Sequence, residues 1–255
     1  MVRRMSAGAI AGAAVLMSLS FASHAQERGA QQPLAAFDDE VAACRRVIRQ
    51  YCAIVQDMAK DATADAGKRE MGLTLLSDAR ERWARIQKTY ASNPPSAYAA
   101  DAQFKARLQD ISNALDDMNR ALEAGNARRS MFACGYGCGL FVTMHEENGL
   151  VYALDRLFHL RKTIKTASSV YKVSGLGGII PLMPALLRQR DEALLAPLPW
   201  PAGDGRNGAY AEAVHELSTA LDELAVSAVS GDAARAGALL GGMTAAVNKP
   251  YGLAL

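Results

Sequence analysis

This sequence has few aromatic residues and almost no excess of charge of either sign. Of its 255 residues, 6% are aromatic and 21% are charged, and 28 basic residues face 26 acidic ones. A formal charge of +2 gives no polybasic footprint of the kind that nucleic-acid binding proteins use, so we expect no nucleic-acid partner. Hydrophobic residues make up half of the chain, which excludes a disordered or collagen-like protein.

Recognisable catalytic motifs are also missing. The chain has no Gly-x-Ser-x-Gly elbow, Walker phosphate loop, His-Glu-x-x-His pair or dinucleotide-binding fingerprint. His159 and His215 lie on predicted helices with no second ligand at a suitable spacing, and we interpret them as surface or packing histidines. The sequence therefore favours a non-catalytic protein over an enzyme.

The N-terminal segment has the pattern of a secretory signal peptide. Arg3 and Arg4 precede an apolar stretch over residues 7–22, and Ser23-His24-Ala25 places small residues at the cleavage positions. Cleavage after Ala25 would remove two basic residues and no acid, which leaves a formally neutral chain. No later segment has the roughly 20 apolar residues of a membrane span. We expect a periplasmic or secreted protein with no membrane span after signal cleavage.

Four amphipathic helices are predicted after a linker at residues 26–36. Apolar residues recur at three- and four-residue spacing, and no period-two strand pattern occurs. The breakers Asn93-Pro94-Pro95, Gly125-Asn126 and Asn148-Gly149 end or separate the helices. Short connectors between long helices predict an up-down-up-down bundle. The predicted helices span residues 37–60, 68–90, 97–124 and 126–147.

The same pattern recurs in the second half of the chain. Aligning residues 111–135 with residues 217–241 gives eight identities, including the matched turns Gly125-Asn126-Ala127 and Gly231-Asp232-Ala233. Helices rich in Ala and Leu also resemble one another by composition, but the shared turn favours duplication. We expect an all-α fold of about eight helices in two four-helix units, at residues 37–149 and, in degenerate form, 150–255. The predicted helices of the second unit span residues 150–171, 181–195, 210–230 and 232–247, with a glycine-rich loop at 174–178.

Four cysteines form the one chemically distinctive cluster. Cys44 and Cys52 lie on the first predicted helix, and Cys134 and Cys138 lie on the fourth, its antiparallel neighbour. In an oxidising compartment these residues predict a disulfide framework, with Cys44 paired to Cys138 and Cys52 to Cys134. Cys44 and Cys52 are about 12 Å apart along their helix, whereas Cys134 and Cys138 are about 6 Å apart along theirs. One of the two bridges is therefore expected to be strained or absent.

Three glycines, Gly135, Gly137 and Gly139, alternate with other residues around Cys138. Each costs about 1 kcal/mol relative to Ala inside a helix, so a compensating gain is expected. Small residues allow two helices to approach closely, as a disulfide requires. We interpret these glycines as close-packing positions against the first helix.

A metal or cofactor site is the alternative interpretation of the cysteines, and plain buried thiols are a third. Thiolates in a helical core suit copper(I) or zinc, and Met58, Met144 and His145 are candidate accessory ligands. Against this, a Cys-x-x-x-Cys pair is a weak signal, and the second unit has Leu240 and Thr244 at the equivalent positions. We also expect His145 to be solvated, since it lies near a helix end.

Residues 37–149 resemble exported cytochrome c-prime-type bundles. The resemblance rests on four helices, the Gly125-Asn126 turn, and paired cysteines on the fourth helix followed by His145. It implies a four-helix fold and haem as the cofactor. That family attaches haem through Cys-x-x-Cys-His, whereas here three residues separate Cys134 from Cys138 and a glycine follows. Covalent haem is therefore not expected, and non-covalent haem held by a Met and a His stays a hypothesis.

Two functions remain open. The first is an exported non-catalytic bundle that binds a small ligand or a metal, with copper and haem as candidates, in its first unit. The second is a structural or protein-interaction module stapled by disulfides. For that second function, Trp200 and the apolar loop Leu176–Ile180 are candidate docking surfaces.

Overall fold

The computed structural model describes residues 23–60 and 66–255, with side chains from Leu34 onward. Over these ranges the chain forms α-helices and two short 3-10 helices, and no strand. The predicted all-α fold is confirmed. The helices are α1 Ser23–Met58, α2 Ala66–Tyr90, α3 Phe104–Glu123, α4 Ala127–Glu146, α5 Ala153–Ile179, α6 Met183–Leu195, α7 Arg206–Ser230 and α8 Ala233–Leu253, and the 3-10 helices are Ser96–Tyr98 and Ile180–Leu182.

The two halves of the chain have the same arrangement of neighbours. In the first half, α1 and α3 each pack against both α2 and α4. In the second half, α5 and α7 each pack against both α6 and α8. Each half is thus a closed ring of four sequential helices, which is the up-down-up-down bundle expected from the short connectors.

The matched glycine turns have matched geometry. Gly125 and Gly231 both adopt positive φ, at 71° and 77°, after which the chain enters α4 and α8. Asn126 and Asp232 then cap these helices, each accepting a hydrogen bond of 2.9 Å from the backbone N–H three residues later. The shared turn is therefore a helix stop followed by a helix start, repeated at the same place in each half.

Each half encloses its own hydrophobic core. The first core is centred on large side chains from α1 to α4, such as Tyr51, Trp83 and Phe141. The second begins at Ala153 and is built from leucines, Met243 and Tyr251 of α5 to α8. Two cores are compatible with the predicted boundary near Gly149, and whether the halves fold independently stays a prediction.

The predicted glycine-rich loop at residues 174–178 is not a loop. The helix α5 continues to Ile179 and is interrupted only at Gly175, whose backbone angles of φ 59° and ψ −152° are not helical. Glycine tolerates this conformation because it has no Cβ. The helix therefore kinks at this one residue and continues after it. The kink leaves Val173 and Ile180 exposed beside it.

At the N-terminal end, α1 begins at Ser23, so the segment predicted as a linker over residues 26–36 is helical. The predicted signal peptide, residues 1–25, lies almost wholly outside the described residues. Within the described ranges, one helical run, Ala153–Leu195, is long and apolar enough to cross a membrane by length and composition. Only 17% of its most apolar window is buried inside the protein, and Gly175 interrupts the run.

Candidate functional site

A disulfide joins α1 to α4. Cys52 and Cys134 are bonded, and their Cα atoms lie 6.0 Å apart, within the range that a disulfide allows. The bonded residues are separated by 82 positions in the sequence. One of the two predicted pairings is therefore confirmed, and it covalently ties the first helix of the bundle to the fourth.

A third sulfur lies beside this bridge. The Sγ atoms of Cys52, Cys134 and Cys138 all lie within 4.8 Å of one another, and we call these residues the sulfur cluster. Cys138 keeps a free, partly buried thiol. Burial raises the pKa of this thiol, and the charges of nearby basic side chains oppose the shift.

The predicted bridge between Cys44 and Cys138 is wrong. Cys44 is fully buried, and its thiol donates a hydrogen bond of 3.5 Å to the carbonyl oxygen of Ala79 on α2. Burial raises its pKa to about 12. Because Cys44 and Cys52 are two helical turns apart and the cysteines of α4 only one, a single cysteine of α1 reaches the pair on α4.

The three glycines of α4 have different surroundings. A Cβ atom added at Gly137 would lie 2.5 Å from Cε of Met118 on α3, whereas one added at Gly139 would lie 3.8 Å from Phe158 on α5. Nothing lies within 4 Å of the corresponding position at Gly135. Close packing therefore applies to Gly137, but its neighbour is α3 and not α1 as expected.

The predicted accessory ligands lie within the protein interior. Met58 and Met144 are buried in the first hydrophobic core. His145 is only 3% exposed, so the expectation that it is solvated is wrong. Its burial follows from the turn after α4, which brings Asp155 of α5 to 2.5 Å from His145 Nδ1. The role of these residues as metal ligands stays a prediction.

His145 belongs to a buried polar network that connects three helices. The guanidinium of Arg45 on α1 lies 3.4 Å from Oδ1 of Asp155, whose Oδ2 contacts His145. Burial tends to raise the pKa of Asp155, but the hydrogen bond from His145 and the charge of Arg45 outweigh it and lower that pKa. The other ring nitrogen, Nε2 of His145, is buried without a hydrogen-bond partner among the described residues.

A cavity of about 720 Å³ lies between the two halves, next to the sulfur cluster. Its walls come from α1, α4, α5 and the end of α8, and all three sulfur residues line it. The apolar part of the wall carries Ile48, Met131, Phe132, Tyr136, Phe158 and Tyr251. Because five basic residues also line it, Arg45, Arg49, Arg161, Lys162 and Lys165, we call it the basic cavity.

Four of these five basic residues have no acidic partner in the described part of the chain. Arg45 pairs with Asp155, but Arg49, Arg161, Lys162 and Lys165 form no ion pair there. Among the described residues, the one acidic side chain on the cavity wall, Glu146, is already engaged, since its Oε1 lies 3.5 Å from Arg156 and 3.0 Å from His159. The cavity wall therefore carries unbalanced positive charge.

The unbalanced cations also disfavour one another. Burial and the charge of Arg161 both lower the pKa of Arg49 and of Lys165. The guanidinium groups of Arg49 and Arg161 lie 5.4 and 5.0 Å from the ring centre of Tyr251, which holds them near each other. Nε of Arg161 is buried and has no hydrogen-bond partner among the described residues. A bound anion would relieve both the repulsion and the missing hydrogen bond.

These basic residues were not identified from the sequence. They come from helices distant in the chain, so their convergence is a tertiary property. A weak signal does exist, because Arg45 and Arg49 on α1, like Arg161 and Lys165 on α5, are spaced four residues apart. Like charges at this spacing repel each other on an isolated helix. Their occurrence on two helices therefore indicates that an anion could bind between them.

The two candidate docking surfaces are partly packed. Trp200 donates its indole N–H to the carbonyl oxygen of Leu253 at 3.2 Å, and the guanidinium of Arg206 lies 3.6 Å from the ring centre. Within Leu176–Ile180, Ile179 is buried and Ile180 is half exposed. Their role in binding a partner stays a prediction.

No family model, curated protein or solved structure matches this chain. The resemblance of residues 37–149 to cytochrome c-prime-type bundles accordingly stays a prediction.

Proposed function

We propose that this protein is an exported helical bundle that binds a small acidic ligand in the basic cavity. The observation that carries the proposal is the set of four unpaired basic side chains on the wall of a 720 Å³ cavity. This volume falls within the range of about 300 to 1,000 Å³ that is typical of ligand pockets. Arg49 and Arg161 are partly buried without counter-charges, which is costly, and an acidic ligand would remove that cost, whereas Lys162 and Lys165 are exposed.

The rest of the wall indicates the character of the ligand. Phe132, Tyr136 and Phe158 offer aromatic surface for an apolar body. The guanidinium groups of Arg49 and Arg161 are suited to a carboxylate, which they can bind with paired hydrogen bonds. An amphipathic carboxylic acid combines both features, and haem, with its two propionates, is one molecule of that class.

Calorimetric titration of charged and neutral forms of one ligand tests this function. The probes are dodecanoate against dodecanol, and haemin against its dimethyl ester. We expect one site per chain and at least about tenfold tighter binding of each acid, with an affinity that falls as salt is added. Equal affinity for the acid and its neutral form would contradict the preference for acidic ligands, and no binding of any probe would favour the structural-module alternative.

A matched pair of variants locates the site. The double variant Arg161→Gln, Lys165→Gln removes two cavity cations and should weaken acid binding by about tenfold or more. Lys172→Gln removes an exposed lysine of the same helix that does not line the cavity, and should leave binding unchanged. An equal effect per charge removed would mean that net charge, and not the cavity, governs binding.

Copper(I) binding by the reduced sulfur cluster is a second candidate function. The observation that favours it is the mutual distance of at most 4.8 Å among the three Sγ atoms. Reduction of the bridge would supply three soft sulfur ligands, which copper(I) prefers. We expect reduced protein to hold one copper(I) against a competing chelator. Cys138→Ser should abolish this, and Cys44→Ser should not, since Cys44 lies outside the cluster.

Export is supported by the signal-like N-terminal pattern and by the Cys52–Cys134 bridge, which fits an oxidising compartment. Fractionation of cells that express the chain with and without residues 1–25 tests it. We expect only the longer form to leave the cytoplasm and to acquire the bridge.

A further inference from the structure

We propose that Cys138 is a covalent capture site of the basic cavity, where it forms a mixed disulfide with small acidic disulfides of the glutathione disulfide class. This proposal rests on the proposed function, because the cavity must first admit an acidic molecule. It goes beyond that function by assigning a chemical class of ligand and a point of attachment.

Cys138 is positioned to react with a molecule bound in the basic cavity. Its thiol is free, it is partly buried, and it lines the basic cavity together with the bridge. Arg45, Arg161 and Lys165 line the same cavity, so their charges can attract an acidic molecule to the side of the protein where this thiol lies. A free and partly accessible thiol in the wall of a cavity that attracts acidic molecules is placed to exchange with their disulfides.

The chemistry is a single thiol–disulfide exchange. Cys138 loses its proton to solvent, and its thiolate attacks one sulfur of the ligand disulfide. A bond forms between Cys138 Sγ and that sulfur, the ligand's own sulfur–sulfur bond breaks, and the second sulfur leaves with the electron pair as a thiolate that takes up a proton. The ligand disulfide is the oxidant. The unpaired cations of the cavity attract its carboxylates and stabilise the departing thiolate.

The neighbouring bridge allows the adduct to persist. A mixed disulfide is released when another thiol attacks it, and the nearest sulfurs, those of Cys52 and Cys134, are bonded to each other. The remaining thiol, Cys44, is fully buried in the first core and is hydrogen-bonded to Ala79 on α2. With the bridge intact, the described residues therefore offer no thiol placed to displace the captured molecule.

The chain contains its own control for reactivity. Cys44 and Cys138 are both free thiols, but Cys44 lies in the hydrophobic core and does not line the cavity. We expect bridged protein incubated with glutathione disulfide to gain one adduct per chain. Peptide mapping by mass spectrometry should place that adduct on Cys138 and leave Cys44 free.

Two chromogenic disulfides of opposite character test the role of charge. The rate with anionic dithiobis(nitrobenzoate) is divided by the rate with neutral dithiodipyridine, which cancels the intrinsic reactivity of the thiol. We expect this ratio to fall about tenfold in the Arg161→Gln, Lys165→Gln variant and with added salt. Lys172→Gln should leave the ratio unchanged. A ratio that is the same in all three proteins would overturn the preference for acidic ligands.

Binding of dodecanoate to a Cys138→Ser variant separates this proposal from the proposed function. If that variant still binds the acid but the parent protein forms no adduct, or forms it on Cys44 or on a bridge cysteine, covalent capture is wrong and the proposed function stands. If acid binding and the charge preference are both absent, both proposals are wrong. Cys138→Ala is the second variant, and circular dichroism verifies that each remains folded.

Discussion

Arg45 and Asp155, which are 110 positions apart in the sequence, lie 3.4 Å from each other in a site that is almost fully buried between the two halves of the protein. His145 contacts the same carboxylate at 2.5 Å. One carboxylate thus neutralises a cation from α1 and orients a ring from α4 while belonging to α5 itself. The pair ties the second half of the chain to the first.

Asp155→Asn should destabilise the protein strongly. The change leaves the buried guanidinium of Arg45 without a counter-charge, which typically costs about 3 to 5 kcal/mol in the free energy of unfolding. Urea unfolding followed by circular dichroism measures this cost. Glu223→Gln, which breaks the exposed pair with Arg235, should have little effect because solvent screens that pair. Similar effects of the two changes would mean that the buried network contributes no more to the free energy of unfolding than an exposed ion pair.

The difference in stability between the parent protein and Asp155→Asn should depend on pH. The pKa of Asp155 is lower in the folded protein than its ordinary value of 3.8, so its carboxylate stabilises the fold fully above that value. As the pH falls through the folded pKa, the carboxyl is protonated and this contribution is lost. The gap between the two proteins should be largest near about pH 7 and should shrink below about pH 3. A difference in stability that stays constant with pH would contradict the lowered pKa of Asp155.

Reduction of the Cys52–Cys134 bridge should affect the two halves unequally. A bridge between residues 82 positions apart is expected to contribute about 4 kcal/mol by restricting the unfolded chain. Both of its residues belong to the first core. Hydrogen exchange before and after reduction should show loss of protection over residues 37–149 and little change over residues 150–255. Equal loss in both halves would show that they form one cooperative domain.

Alanine substitutions at two glycines of α4 should differ in sign. Gly135→Ala adds a methyl group where nothing lies within 4 Å, so the helix should gain stability of up to about 1 kcal/mol. Gly137→Ala gains the same helix propensity but places its Cβ 2.5 Å from Cε of the buried Met118 and 3.4 Å from Ala114, so overpacking of about 1 to 3 kcal/mol should outweigh that gain. Thermal unfolding of both variants checks the pair. A stabilised Gly137→Ala protein would show that α3 and α4 are not closely packed there.

The fold could be predicted because each helix carries its own signals. Apolar spacing, the Gly125-Asn126 and Gly231-Asp232 turns, and the Pro94-Pro95 break all act locally. Gly175 is an exception, since a glycine-rich segment predicts a loop while the flanking residues remain helical. The single bridge was also anticipated by arithmetic, because two turns on one helix cannot match one turn on the other.

The basic cavity could not be predicted, because its charges meet only in the folded chain. In the sequence, Arg45 and Asp155 have the pattern of solvated residues. In the folded protein both are buried, and each neutralises the charge of the other. His145 likewise lies near the end of α4, and its burial depends on where α5 begins. Local periodicity contains no information about such pairs across the two halves.

The Cys52–Cys134 bridge lies in the wall of the basic cavity and joins the helices on two of its sides. A covalent link at that place sets the spacing of α1 and α4, so under the proposed function the oxidised protein would select its ligand by fit to a preformed width. Opening the bond would free the two helices to separate. Under the proposed function, the range of molecular sizes that the cavity accepts would therefore depend on the redox state of the surroundings.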